Sequence, residues 1–311
     1  MLNSVITAAA DPLGHVLDKT IFEIGGQAIT MNTLSLVVVA VLFVLMIRGA
    51  AKRIEVGPES DGAERYVTRG YFSKILELIV MFLREKVFRP QLGPQTDKFT
   101  PFLLTLFFFI WFSNLFGMIP LIDLQYLATS LTMGEEKKIV GGTPTGRLAV
   151  TGALATIAFL VWHVAGLRIN GFKNWAAHFT AGAPWFIWPI MIPVEIIGSI
   201  VKPAALCIRL FANMTAGHVL LAVVLGFTGG AIGAVGLVKG VPVALIAFIG
   251  GLGIFFLEVF VSTLQAFIFT VLTTIFISQM VHHHHEDDHH AEAYDGHEHS
   301  MATDEAAAVT A

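Results

Sequence analysis

The chain has one cysteine, Cys207, so it cannot form an internal disulfide and carries no sign of a redox compartment. Beside apolar neighbours the thiol suits the role of a small filler. There is no basic excess either. Lys and Arg number 19 against 23 Asp and Glu, a net charge of −4, which lacks the electrostatic footprint of a nucleic-acid partner. No internal repeat is visible, which counts against the inverted-repeat transporters. Residues 1–30 have no basic region ahead of an apolar core, so no cleavable signal or transit peptide is expected. Charge of any sign is scarce. Only 14% of residues are charged, 55% are hydrophobic, and the mean hydropathy is +0.73. Runs of about twenty apolar residues recur, and a chain of this kind is a polytopic membrane protein.

The expected fold class is an all-α polytopic membrane protein with five spans at about residues 31–51, 100–120, 148–167, 184–227 and 241–281. Residues 1–30 form an extracytoplasmic segment, 31–281 a single membrane domain, and 282–311 a His-rich cytoplasmic tail, expected to be disordered. The stretch 72–88 has too short an apolar core to span and is expected to lie as an interfacial helix on the cytoplasmic face. The second span is expected to start with Pro101 in its first turn. The last two spans, of 44 and 41 residues, exceed the roughly 30 Å hydrocarbon layer if helical and must tilt steeply or break. Pro189, Pro193 and Pro203 offer kinks in the first, and Gly250, Gly251 and Gly253 offer close approach in the second. Gly229 to Gly240 would close the hairpin on the outside. Orientation follows from Lys and Arg. Twelve lie in the segments placed inside, beginning with Arg48, Lys52 and Arg53, and five in those placed outside, so the N-terminus is out and the C-terminus in.

Polar residues inside the spans carry the functional signal. The fourth span holds Glu195, Lys202, Arg209, Asn213 and His218. Arg209 cannot lose its proton to escape a low dielectric, and about twenty apolar-dominated residues on either side leave it no nearby headgroup. A charge at the bilayer centre costs about 2.5–3.5 kcal/mol on insertion scales, so it faces protein or water and usually serves transport. At about 100° per residue, Glu195, Lys202, Arg209 and Asn213 share one face, while His218 points half a turn away. On the fifth span Glu258, Ser262 and Gln265 form one stripe. Placing Glu258 level with His218 puts Gln265 near the level of Arg209. Asn114 fits either a functional asparagine or a tie to a neighbouring helix. His163 fits a packing residue better than a proton relay.

The run PAALCIRLFANMTAGH (203–218), followed by STLQAFIFTVLTTIF (262–276), resembles subunit a of F-type ATP synthases. The likeness covers roughly residues 70–281. It implies the stator half of a proton channel, with a ring of small proteolipid c subunits, the subunit b peripheral stalk and the rest of the synthase as partners, in membrane lipid. It implies that Arg209 separates two half-channels, with Asn213, His218, Glu258, Gln265, Glu195 and Lys202 along the proton path. No catalytic residue, cofactor or metal site is implied. One exchange departs from the commoner bacterial pattern: His218 and Glu258 stand where that pattern has an acid and a histidine, as in mitochondrial members. A bacterial inner membrane is expected, with the mitochondrial inner membrane the alternative. A proton- or metal-coupled secondary transporter is the competing class; it would need a midplane substrate site between repeats. The tail HHHHEDDHHAEAYDGHEHS (282–300) carries eight of the twelve histidines. A solvated tail without a dedicated role is favoured over metal binding or proton buffering.

Overall fold

The computed structural model describes residues 20–24, 27–56, 66–68, 70–119, 143–180 and 184–281. The EEKK cluster at 135–138 and the tail after Val281 lie outside them. Five helices among the described residues are long and apolar enough to cross a membrane. The first, α1, is Met31–Ala51, opened by Thr30, whose Oγ1 accepts from the Thr33 amide, and closed with Arg48 in its last turn. Two short antiparallel ladders flank it outside the spanning part: β1 (Thr20–Ile24) with β2 (Gln27–Thr30), and β3 (Ile54–Val56) with β4 (Tyr66–Thr68). The spanning part is all helix, and the two ladders are an addition that the apolar pattern did not carry.

Helix α2, Tyr71–Phe82, buries Ser73 and Leu76 and exposes Tyr71, Phe72, Leu78 and Met81. It runs through a π-turn at Leu83–Phe88 and a short turn at Arg89–Leu92 into α3, Thr96–Met118. Around the turn Arg84 meets Asp97 at 2.7 Å and Arg89 meets Glu85 at 2.8 Å, a polar seam at an otherwise apolar junction. The expectation of a span beginning at Thr100 is corrected here. The helix already runs from Thr96, so Pro101 lies inside it, with the Thr105 hydroxyl donating to the Pro101 carbonyl at 2.8 Å. Helix α4 is Leu148–His178, redirected at Gly171, where φ is 74°.

The last helix, α5, spans Trp188–Val281 and doubles back at Gly236, where φ is 78° and ψ 169°. A side chain in that left-handed region would cost about 1–2 kcal/mol, and glycine removes the penalty. The expected loop at Gly229–Gly240 thus contracts to one non-helical residue. Its two arms, Trp188–Val224 and Gly240–Val281, have 37 and 42 residues. At 1.5 Å rise they are roughly 56 and 63 Å long, so both must cross a layer of about 30 Å at a steep tilt. The prolines do not break the helix. Pro193 and Pro203 sit inside the first arm with helical backbone, and Pro189 falls in its first turn.

The core lies where α3, α4 and both arms meet. Leu103 and Ile110 of α3, Ala158 and Trp162 of α4, Leu206, Leu210 and Met214 of the first arm, and Ala266, Phe269 and Ile277 of the second are all buried. The spacing 206, 210, 214 is one helical stripe, and it is the buried side of the first arm. The opposite faces stay apolar and exposed, with Ile197, Ile208, Ile246, Phe256 and Phe260 among them. Such faces suit lipid or an apolar partner. Hydroxyls inside the second arm are satisfied locally: Thr270 donates to the Ala266 carbonyl, Thr273 to Phe269 and Thr274 to Thr270. Its C-terminal end is pinned by Asn170, whose amide donates to the Met280 carbonyl at 2.6 Å, and by Ser278, which donates to the Gln91 carbonyl.

Candidate functional site

Residue numbers rise along the first arm as their partners fall along the second, so the arms pair antiparallel. Asn213 Nδ2 donates to Gln265 Oε1 at 3.1 Å. The Ser262 hydroxyl points at Met214 Sδ, 3.7 Å away, and at Met118 Sδ of α3, 3.6 Å away. Further out, His218 Nδ1 lies 3.5 Å from Glu258 Oε1. Four residues apart on one helix means about 6 Å along its axis. Gln265 therefore meets the first arm about 6 Å from Arg209 toward the Gly236 turn, at Asn213, rather than at the arginine.

Glu258 is 4% exposed, a value at which a carboxyl has almost no bulk water. Among the described residues neither of its oxygens has a hydrogen-bond partner, and Nδ1 of His218 sits at charge-pairing rather than hydrogen-bonding distance. The approach is close because Gly217 has no side chain. A Cβ there would come within 2.7 Å of Glu258 Oε1. Of the three glycines expected to permit close approach, Gly250 and Gly253 meet nothing of this chain within 4 Å of a Cβ, while Gly251 is buried. Nε2 of His218 in turn contacts the Thr143 hydroxyl, at the start of the segment leading into α4.

Asn114 of α3 is fully buried. Its amide nitrogen donates to the Ser262 carbonyl at 3.2 Å, and its oxygen accepts from the Thr145 hydroxyl at 2.6 Å. Of its two sequence readings, the tie between helices is the one the contacts match. Trp111 Nε1 adds a bond to Thr263 Oγ1 at 2.9 Å. The amide nitrogen of Gln265, itself 2% exposed, is buried without a partner among the described residues. Buried polar atoms normally find partners. Glu258 and Gln265, both on one stripe of the second arm, are the exceptions along this seam.

Arg209 stands apart. It is exposed, and no ion pair or side-chain hydrogen bond engages it among the described residues. By helical angle it lies half a turn from His218, while Asn213, about 40° away on its own stripe, is the group that reaches Gln265. Glu195 and Lys202, expected on one face, engage each other at 3.9 Å, and the Lys202 ammonium sits 5.5 Å above the Phe276 ring. His163 has both ring nitrogens occupied: Nδ1 bonds the Phe159 carbonyl at 2.9 Å, and Nε2 the Ser199 hydroxyl at 3.0 Å. Because a carbonyl only accepts, Nδ1 carries the proton and Ser199 donates to Nε2. Cys207 is buried beside Thr151, consistent with a filler.

Thr143 and Thr145 were missed in the sequence. The signal was there in Thr-Pro-Thr-Gly ahead of an apolar run, which reads as a helix start, but nothing local says that its hydroxyls reach two other helices.

The geometry is therefore a largely buried polar seam between two steep helices, with an exposed arginine, unpaired among the described residues, one turn from Asn213 on the first arm. Residues 29–278 match the family model described as ATP synthase A chain. The chain belongs to that family. It is 37% identical over 244 residues to ATP synthase subunit a of Myxococcus xanthus, covering 76% of this chain and 72% of that protein. It is 37% identical over 230 residues to ATP synthase subunit a 2 of Prosthecochloris aestuarii, covering 74% of this chain and 60% of that protein. Over 298 residues it is 32% identical to ATP synthase subunit a 2 of Chlorobaculum tepidum, covering 94% and 72%. Family membership and five apolar helices make the chain a multi-pass membrane protein of the Fo sector.

Proposed function

We infer that the chain is the proton-translocating stator subunit of an F-type ATP synthase, itself without catalytic residues, and that Arg209 is the charge that separates its two half-channels. The observation that carries this reading is an arginine on a spanning helix, exposed on the apolar face, with no acceptor of its own among the described residues. An isolated cation in that position is costly. It is relieved when a carboxylate of another molecule passes, and the ring of small proteolipids provides one buried carboxyl per subunit.

Neutral carboxyls traverse lipid readily, while ionised ones do so only at great cost. Arg209 favours the ionised form as each carboxyl arrives, so the proton leaves before the carboxyl passes the arginine. The fixed positive charge also repels protons and blocks a direct leak. On the outer side, the seam from His218 and Glu258 toward Asn213 and Gln265 delivers protons to the ring. The buried Glu258 oxygens and Gln265 amide nitrogen, which have no hydrogen bond among the described residues, support a hydrated path there. On the inner side Glu195 and Lys202 provide the polar groups of the exit, with Lys202 holding Glu195 in place. The membrane potential contributes about 2.3 kcal/mol per charge per 100 mV, and ring rotation passes it to the catalytic head.

The orientation is N-terminus out and C-terminus in, within a bacterial plasma membrane, and the subunit b stalk holds the stator against rotation. The secondary transporter reading is not favoured, because the family match spans the whole membrane part. Gentle solubilisation of tagged chain from its native membrane tests the reading. A small proteolipid ring and an ATPase head should co-purify, and ATP should drive proton pumping once the complex is reconstituted. Purification of the chain alone, with transport independent of ATP, would overturn it.

A further inference from the structure

Three contacts at the outer end of the molecule come from one five-residue stretch, 143–147. Thr143 contacts Nε2 of His218 on the first arm of α5. Thr145 donates to Asn114 of α3 at 2.6 Å, and Arg147 Nη1 donates to Thr30 Oγ1 at 2.7 Å and Thr33 Oγ1 at 3.2 Å, at the start of α1. A single turn of 3₁₀ helix, Pro144–Gly146, holds the stretch rigid, with Pro144 as its first residue. Thr145 is fully buried and Thr143 is 5% exposed, so these hydroxyls are committed to protein rather than to solvent.

Room for Thr143 has been made from the other side. A Cβ at Gly117 of α3 would overlap the Thr143 side chain, just as one at Gly217 would overlap Glu258. Two glycines on two helices therefore admit the two groups that flank the His218 ring. Glu258 faces Nδ1 from the second arm, and Thr143 faces Nε2 from the segment before α4. No other titratable or charged group is paired with His218 among the described residues.

We propose that Thr143 is a positioning residue of the proton path, holding the His218 ring so that Nδ1 is presented to Glu258 and Nε2 to the outer side. A carboxylate only accepts, so when Glu258 is ionised the N–H of a neutral ring belongs on Nδ1, and the Thr143 hydroxyl donates to bare Nε2. When Glu258 is protonated its O–H can donate to bare Nδ1, and the same hydroxyl accepts from the N–H on Nε2. A hydroxyl serves both states without moving. A methyl serves neither, and the ring is then free to turn about χ2 and lose its alignment with Glu258. The remaining contacts of the stretch fix where that hydroxyl stands: Asn114 and the α1 cap tie 145–147 to two helices that do not belong to the α5 hairpin.

This proposal rests on the proton-path reading, and the test separates the two. Passive proton flux is measured in vesicles carrying the complete membrane sector stripped of its ATPase head, with the amount of assembled subunit read by immunoblot. Thr143→Val should lower flux at least fivefold at normal assembly, and Thr143→Ser should stay within twofold of the natural chain. Thr143→Ala, which cannot clash, repeats the loss if the valine chain assembles poorly. In a His218→Ala background the Thr143 substitutions should change nothing further. Flux in Thr143→Val and Thr143→Ala within twofold of the natural chain, equal losses in Val and Ser, or an undiminished loss in the His218→Ala background would each overturn the positioning role. If His218→Ala itself leaves flux intact, the proton-path reading of the seam falls, and the role of Thr143 falls with it.

Discussion

Nine residues separate Arg209 from His218 on one helix, and the two are treated in opposite ways. His218 faces the second arm, pairs with Glu258 and contacts Thr143. Arg209 faces out, and no group of the described chain neutralises it. Nine residues correspond to about 13 Å of rise and half a turn, so one straight helix offers both environments without any break. The difference separates what the chain completes within itself from what it leaves for another molecule. The buried pair is closed by the fold. The arginine is an unanswered charge, and its complement has to arrive from outside.

Removing Arg209 should therefore have the largest effect. Arg209→Ala should abolish proton-driven ATP synthesis in inverted vesicles while leaving the subunit assembled, because no contact of the fold depends on its guanidinium. Near-normal synthesis would end the stator reading and the contrast with it. The reciprocal exchange at the other site should come next. His218→Glu places two carboxyls together, and Glu258→His two imidazoles, and breaking a buried pair from one side costs about 3–5 kcal/mol. Each single change should slow passive proton flux about tenfold or more, and the double exchange should recover much of it, a non-additivity that a mutant cycle measures. A double mutant no better than the worse single would show that the two residues act separately.

A smaller effect is expected from the glycine that lets the pair meet. Gly217→Ala puts a methyl where Glu258 Oε1 stands, so either the carboxyl or the arm must shift by a few tenths of an ångström or more. Flux should fall, by less than in the exchange mutants, because the added methyl displaces the carboxyl without removing it. Gly250→Ala, where nothing lies within 4 Å, is the control for helix propensity in the isolated chain. The smallest effect concerns neither site. Truncation after Val281 removes eight histidines but no residue of the described core, and coupled ATP synthesis should stay within about twofold. A tenfold loss would make the tail part of proton delivery or of assembly.

Much of the membrane part was legible in the chain because lipid imposes a length and a composition on every span, whatever the neighbours are. The polar residues stood out against that apolar background for the same reason. The stripe Glu258, Ser262, Gln265 followed from helical period alone, and it is the stripe that faces the first arm. Local rules failed where neighbours decide. Pro193 and Pro203 carry kink chemistry, yet the first arm passes both with helical backbone. Three clustered glycines drew attention to the second arm, while Gly217 of the first arm and Gly117 of α3, where a Cβ would meet Glu258 and Thr143, had no local signal. Glu195 and Lys202 share a face by angle and do engage each other, but the Phe276 ring beside Lys202 has no signal in the period.

By itself, then, the sequence determined that the chain crosses a membrane, that the last two spans are too long to cross it upright, and that Arg209 is charged wherever it lies. These depend on transfer free energies, on helix rise and on guanidinium basicity, none of which needs a partner. Only the tertiary structure decided which polar groups meet. That required the turn at Gly236 to set the antiparallel register of the two arms, and the segment 143–147 to reach back across three helices. Contacts between residues 40 to 75 positions apart, such as His218 with Glu258 and with Thr143, have no local signature, because they depend on relative position in space and not on the neighbours in the chain.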